Sequence, residues 1–366
     1  MLWLALTTVL AGCHAATAAS SPTPPAASQP VIYVTNQDAA SVTVIDAATH
    51  EVVETVDLRA LGFSANARPH HVVADPDGAH WYVSLIGENV VLKMDAATNR
   101  IVGRGAFEVP GMLAYDLESN RLFVGRSMSA VNPPQSIGVI DRDDMSVEEI
   151  AVLYPRPHAL ASHPRTVHVY SASLASNRMA TVDPVEEDVR LQTFMEAMDH
   201  ADHAGMDHGA GQEMIHTLVD FAISPDGTTM VGTGEMSGKL LIFDLADPAN
   251  PRITRELDIG PRPWHPVYSP DGAEVWVPSK AGDNVTVIRT SDWTVREVID
   301  GEGLAEPHGA VFSADGRWVF VSNSDTKDRY PGEGGTVVVI DAESRRIVKV
   351  MPVGRNATGI GTRARP

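Results

Sequence analysis

The 366 residues carry 28 Lys+Arg against 47 Asp+Glu, a formal charge of −19, which makes nucleic acid and anionic lipid headgroups poor electrostatic partners. Hydrophobic residues at 43% and charged residues at 20% are enough for a substantial core. The single cysteine, Cys13, excludes an intramolecular disulfide, CxxCH haem attachment, Cys-rich zinc sites, iron–sulfur clusters and a Cys-ligated blue-copper centre. Metal chemistry in this chain therefore falls to His, Met and carboxylates.

Residues 1–12 (MLWLALTTVLAG) form an apolar run shorter than the roughly 20 residues of a spanning helix. They read as the apolar region of a signal peptide. Leu10-Ala11-Gly12-Cys13 resembles the bacterial lipoprotein cleavage motif, which implies lipidation at Cys13 and attachment to a membrane on the periplasmic side of the cell envelope. Residues 13–30, ending in SSPTPPAASQP, are too rich in Pro, Ser and Ala to build a core and are expected to form a tether. The folded domain is expected over residues 31–366.

Along that domain one pattern recurs: an apolar strand, an Asp-Gly turn, a second strand, then a third ending in aspartate and turning into a fourth. The Asp-Gly turns are ADPDG (74–78), SPDG (224–227), SPDG (269–272) and SADG (313–316). Asp75, Asp77, Asp271 and Asp315 are assigned to these turns. The strand-ending residues Asp46, Asp95, Asp141, Asp183, Asp244, Arg289 and Asp341 stand 42 to 61 residues apart. Seven such units predict an all-β chain folded as a seven-bladed β-propeller. Tyr33-Val34-Thr35-Asn36 followed by SVTVIDAATHEVVETV resembles the YVTN family of propeller repeats, echoed at Tyr82-Val83-Ser84 and Phe320-Val321-Ser322-Asn323. The first repeat lacks an inner strand and the last is followed by a surplus one, Asn356–Gly361. The C-terminus is therefore expected to complete the first blade and remove its open edge.

Aligned on the Asp-Gly turn, the inner strands place His70, His158 and His308 at one repeat position and His71 and His265 one place later. Rotation about the propeller axis would bring four blades' imidazoles to one mouth of the channel, and neutral imidazole suits copper and zinc. In a regular strand His70 and His71 would face opposite ways, leaving one of them as a direct ligand. Short matches at Pro69-His70-His71 and Glu306-Pro307-His308 resemble the copper propellers of nitrous oxide reductase and of the methanethiol oxidases. That resemblance implies copper as cofactor; the reductase's cupredoxin-type domain has no counterpart here.

An insertion at about 194–216 concentrates Met195, Met198, His200, His203, Met206, His208 and His216, resembling the Met/His-rich segments of extracytoplasmic copper-handling proteins. Thioether sulfur is a soft ligand for Cu(I). Trp264 is placed as a wall of the mouth, and His50, His80, His163 and His168 as solvated. No nucleotide or hydrolase fingerprint occurs. Two functions follow as expectations. One is copper handling, or a copper-dependent oxidoreductase with an envelope redox partner. The other is a metal-free propeller scaffold that binds envelope proteins or glycans.

Overall fold

The computed structural model describes residues 30–116, 119–193, 215–330 and 334–363. The predicted leader, Cys13 and the tether up to residue 29 lie outside them, as do residues 194–214. Seven four-stranded antiparallel sheets form a closed ring, and a three-residue 3₁₀ turn (Ile86–Glu88) is the one helical element among the described residues. The inner strands of blades 1 to 7 are Ala357–Arg363, Pro69–Ala74, Pro110–Tyr115, Pro157–Ser162, Leu218–Ile223, Val267–Tyr268 and Pro307–Phe312. The sixth is cut to two residues between Pro266 and Ser269, because proline lacks the N–H a ladder needs.

The expected closure is present. Ala357–Arg363 pairs antiparallel with Val31–Asn36, so the first blade contains strands from both ends of the domain. Arg363 reinforces it, donating from Nη1 to Tyr33 Oη and to the carbonyl of Ala96 in blade 2.

The burial pattern follows from the ring. Second and third strands are covered on both faces by neighbouring blades, so Val31–Asn36 is buried throughout and reads as a continuous apolar run, whereas the outer strand Asp188–Thr193 alternates between exposed and half-buried. The core consists of inter-blade wedges: Tyr33 of blade 1 stacks on Trp81 of blade 2 at 4.8 Å, within a cluster that includes Val31, Leu92 and Met94. The strand-ending aspartates close the hairpins to the outer strands. Asp46 Oδ1 accepts the N–H groups of Ala48 and Thr49, both at 2.8 Å.

One device repeats seven times and positions everything that follows. The residue before each inner strand, or in blade 6 before the Pro263 bridge that precedes the strand (Asn356, Arg68, Val109, Arg156, Thr217, Arg262 and Glu306), has a positive φ of 44–57°. Its carbonyl accepts, at 2.7–3.1 Å, the N–H of the residue that leaves the second strand of the same blade. Proline follows in five of the seven blades, holding the next residue extended. The chain then bulges, with register shifts at Pro69/Val72, Pro157/Ala159, Leu218/Asp220 and Pro307/Gly309. A bulge at a sheet rim re-aims the side chains it carries. The carbonyls and N–H groups it frees are taken up by hydroxyls. Thr35 Oγ1 donates to His70 O, and Ser84 Oγ accepts from His71 N while donating to Gly111 O of the next blade.

Candidate metal centre

Two successive positions of each inner strand, or in blade 6 of the segment just before it, stand at the channel mouth. The first carries Thr358, His70, Gly111, His158, Val219, Trp264 and His308 around the ring; the second carries Gly359, His71, Met112, Ala159, Asp220, His265 and Gly309. In the first tier the His70 ring lies 6.0 Å from His158 and 6.1 Å from His308 between centroids. Gly111 and Thr358 stand in the blades between them, and their small side chains let the imidazoles approach. In the second tier His71 stacks on His265 at 6.0 Å. His265 also stacks on His308 at 4.7 Å and links the tiers. His158, His308 and Trp264 are all at 2% exposure or less.

The alternation expected for His70 and His71 does not hold. The register shift between Pro69 and Val72 breaks the two-residue period, and both rings join the cluster. His216 is buried just before its inner strand, with Nδ1 3.0 Å from Ser237 Oγ in the hairpin of the same blade. Met195, Met198, His200, His203, Met206 and His208 fall outside the described residues.

Hydrogen-bond partners assign the protons. A backbone carbonyl only accepts, so His158 Nδ1, 2.6 Å from Arg126 O, carries the hydrogen and leaves the lone pair on Nε2. His265 Nδ1 stands 3.0 Å from Asp220 Oδ2, an ion-pair contact in which the carboxylate's charge favours the proton on Nδ1. Indole N–H only donates, so Trp264 Nε1, 2.9 Å from His308 Nε2, puts the His308 proton on Nδ1. Leu113 N–H donates to His71 Nδ1 at 3.2 Å. Among the described residues, four buried ring nitrogens of this cluster have no hydrogen-bond partner: both nitrogens of His70, Nε2 of His265 and Nδ1 of His308. Buried polar atoms left unsatisfied are costly and call for an explanation.

The imidazoles are held neutral. Burial, followed by repulsion from the other imidazoles, keeps His70 and His308 well below the ordinary histidine range and brings His71 down to about 3. Burial lowers His158 to about 4, against the opposing effect of the Arg126 carbonyl. Neutral imidazole is the ligand form. Among the described residues, however, no three His, Cys, Asp or Glu side chains already stand as a set around one point that could hold a metal ion. Coordination by three rings therefore requires them to rotate from their stacked positions.

Three features of the mouth were not predicted from sequence. Asp220 orients His265. Lys280, whose ammonium lies 4.7 Å over the Trp264 ring, has its pKa lowered by burial. Met128 packs with Leu174, Val219 and Trp264, bringing a thioether to the rim. Two other expectations are corrected. His163 is buried rather than solvated, its Nε2 2.9 Å from Gly227 O in the next blade. Asp75 does more than form a turn: it receives Arg142 Nη2 at 2.6 Å from blade 3 and lies 3.1 Å from His80 Nδ1, a tie that also removes His80 from the solvated set.

No family model matches the chain, and no curated protein matches it. Solved structures match most of the chain. Hydrazine synthase of Kuenenia stuttgartiensis aligns at 19% identity over 79% of this chain and 87% of its own, with a TM-score of 0.63. A functionally unknown protein of Desulfotomaculum acetoxidans aligns at 14% identity over 92% and 99%, with a TM-score of 0.67. At these identities the likeness concerns the fold, which is that of a seven-bladed β-propeller; many unrelated functions share it.

Proposed function

We propose that this propeller is an extracytoplasmic copper-binding protein that takes the ion at its channel mouth, for copper handling or copper-dependent redox chemistry. One observation carries the reading: imidazoles from four separate blades converge, with buried ring nitrogens that no group among the described residues satisfies. The donor set fits copper, because imidazole binds both its oxidation states and the Met128 thioether at the rim is a soft ligand. His70, His158 and His265 would hold the ion. The hydrogen bond of His158 to Arg126 O and the ion-pair contact of His265 with Asp220 are outer-shell interactions of the kind that orient a ligand histidine. Capture or delivery is assigned to the Met/His segment from Met195 to His216 on composition alone.

Untagged protein loaded with copper and desalted is expected to retain about one equivalent at the mouth, with affinity falling about 100-fold or more in His158→Ala. Retention below about a tenth of an equivalent in the wild type, or full retention in the variant, would overturn the copper reading. Export and lipid attachment belong to the same proposal and rest on Leu10-Ala11-Gly12-Cys13. Metabolic labelling with a palmitate analogue should mark the wild type and not Cys13→Ser. An unlabelled wild type, fully released from membranes by salt, would count against it.

The second reading, a metal-free scaffold, is favoured by Val131, Leu153 and Met236, large apolar side chains exposed on loops of the mouth face. Unchanged copper content in the His158 variant would turn attention to that face.

A further inference from the structure

We infer that Trp264 decides which imidazoles of the mouth can coordinate an ion, by occupying the lone pair of His308 and leaving those of His70, His158 and His265. This rests on the copper reading above and deepens it.

A neutral imidazole has one N–H and one lone pair, so a hydrogen bond at one nitrogen settles what the other can do. His158 gives its Nδ1–H to Arg126 O, which can only accept, and the Asp220 carboxylate 3.0 Å from His265 Nδ1 favours the proton there, so both rings keep the lone pair at Nε2. His308 is wired the opposite way. Its Nε2 receives the indole N–H of Trp264 at 2.9 Å, and its proton sits on Nδ1, where no acceptor meets it. Rotating His308 into a ligand position would strand the indole N–H in the interior. His71 is spent in the same manner by Leu113 N–H. Neither nitrogen of His70 has a partner among the described residues, so it can turn either one inward.

Trp264 is well fixed for this part. Leu174, Val219 and Met128 pack against it, and the Lys280 ammonium, 4.7 Å over its ring, faces the electron-rich π surface. It acts through His308 and is a positioning residue. Three imidazole lone pairs suit the low coordination number of Cu(I), whereas a fourth nitrogen would favour the tetragonal field of Cu(II). Trp264 thereby biases the mouth toward Cu(I). The Nδ1–H of His308 stays available to donate to an acceptor atom that enters with the ion.

The proton assignment is tested first on metal-free wild-type protein labelled with ¹⁵N-histidine. Ring ¹H–¹⁵N spectra should show His308 protonated at Nδ1 and pyridine-like at Nε2; the reverse pattern overturns the inference without any variant. Copper titrations against chromophoric chelators follow. His308→Ala should keep the wild-type Cu(I) stoichiometry, while His158→Ala and His265→Ala lose about 100-fold in Cu(I) affinity. Trp264→Phe should leave Cu(I) affinity within about threefold, raise Cu(II) affinity at least about tenfold and add a nitrogen coupling to the Cu(II) paramagnetic resonance spectrum. If wild type binds copper but His308→Ala loses it as His158→Ala does, this inference fails and the copper reading stands. A Cu(II) affinity in Trp264→Phe equal to wild type also overturns it. A wild type that binds no copper overturns both.

Discussion

Deleting residues 355–366 is expected to lower the melting temperature by about 10 °C or more and to broaden the transition. The segment removed is the inner strand of the first blade, and its loss opens the edge of Val31–Asn36 while removing Ala357 and Ile360 from the wedge they share with Phe320, Val337 and Val339. Inter-blade bonds go with it. Thr358 O receives Ser322 Oγ of blade 7 at 2.6 Å, and the Thr358 hydroxyl donates to His70 O of blade 2 at 3.3 Å. Gly359 marks how tightly the strand fits: a Cβ there would lie 2.2 Å from the His70 carbonyl oxygen, so no other residue allows blades 1 and 2 to approach this closely. A thermal scan by circular dichroism checks the expectation. A truncated chain melting within about 2 °C of the intact one would show that the ring does not depend on this strand.

Acid is expected to destabilise the metal-free protein in a window set by the mouth. The folded-state pKa of His158 lies at about 4 against 6.5 for a free imidazole. Between those values the unfolded chain binds a proton that the folded one refuses, so stability falls as pH falls from 6.5 toward 4 and is insensitive to this group above 6.5. The contribution of His158 is roughly 3 kcal/mol, and His71, lowered to about 3, extends the loss in the same direction. Carboxylates that turn hydrogen bonds hold below their usual range, such as Asp226 and Asp315, also lose stability as they protonate, at the lower end of this range and below it, in the wild type and the variant alike. The decisive quantity is therefore a difference. Urea midpoints should drop less between pH 7 and pH 4.5 in His158→Gln than in wild type, and parallel curves would show that His158 is not held neutral by the fold.

Much of this architecture was legible beforehand because it is written in local chemistry. Asp46 closes its hairpin through bonds to Ala48 and Thr49, two and three residues on, and the Asp-Gly turns rely on positive-φ glycines such as Gly78 and Gly272. Such signals lie within a few residues of one another, and repetition around the chain made them countable. The surplus strand at the C-terminus was readable for the same reason. So was the position of the histidines, since equivalent places in a repeat become neighbours on rotation about a common axis.

What stayed hidden depends on contacts between blades. The partner of His71 is 42 residues away, that of His158 is 32, that of His163 is 64 and that of Asp75 in blade 3 is 67. None of these distances corresponds to a local period, which is why His163 was expected in solvent and Asp75 in a simple turn. The bulge at Pro69 likewise overrode the two-residue alternation that would have separated His70 from His71.

Sequence alone therefore determined the number of blades, the closure of the ring and the set of imidazoles at its mouth, each a consequence of repeat spacing and turn chemistry. The tertiary structure alone decided which nitrogen of each ring carries the proton. A neutral imidazole takes its tautomer from whatever donor or acceptor lies opposite, and here most of those groups, the Asp220 carboxylate, the Arg126 carbonyl and the Trp264 indole among them, are supplied by a neighbouring blade.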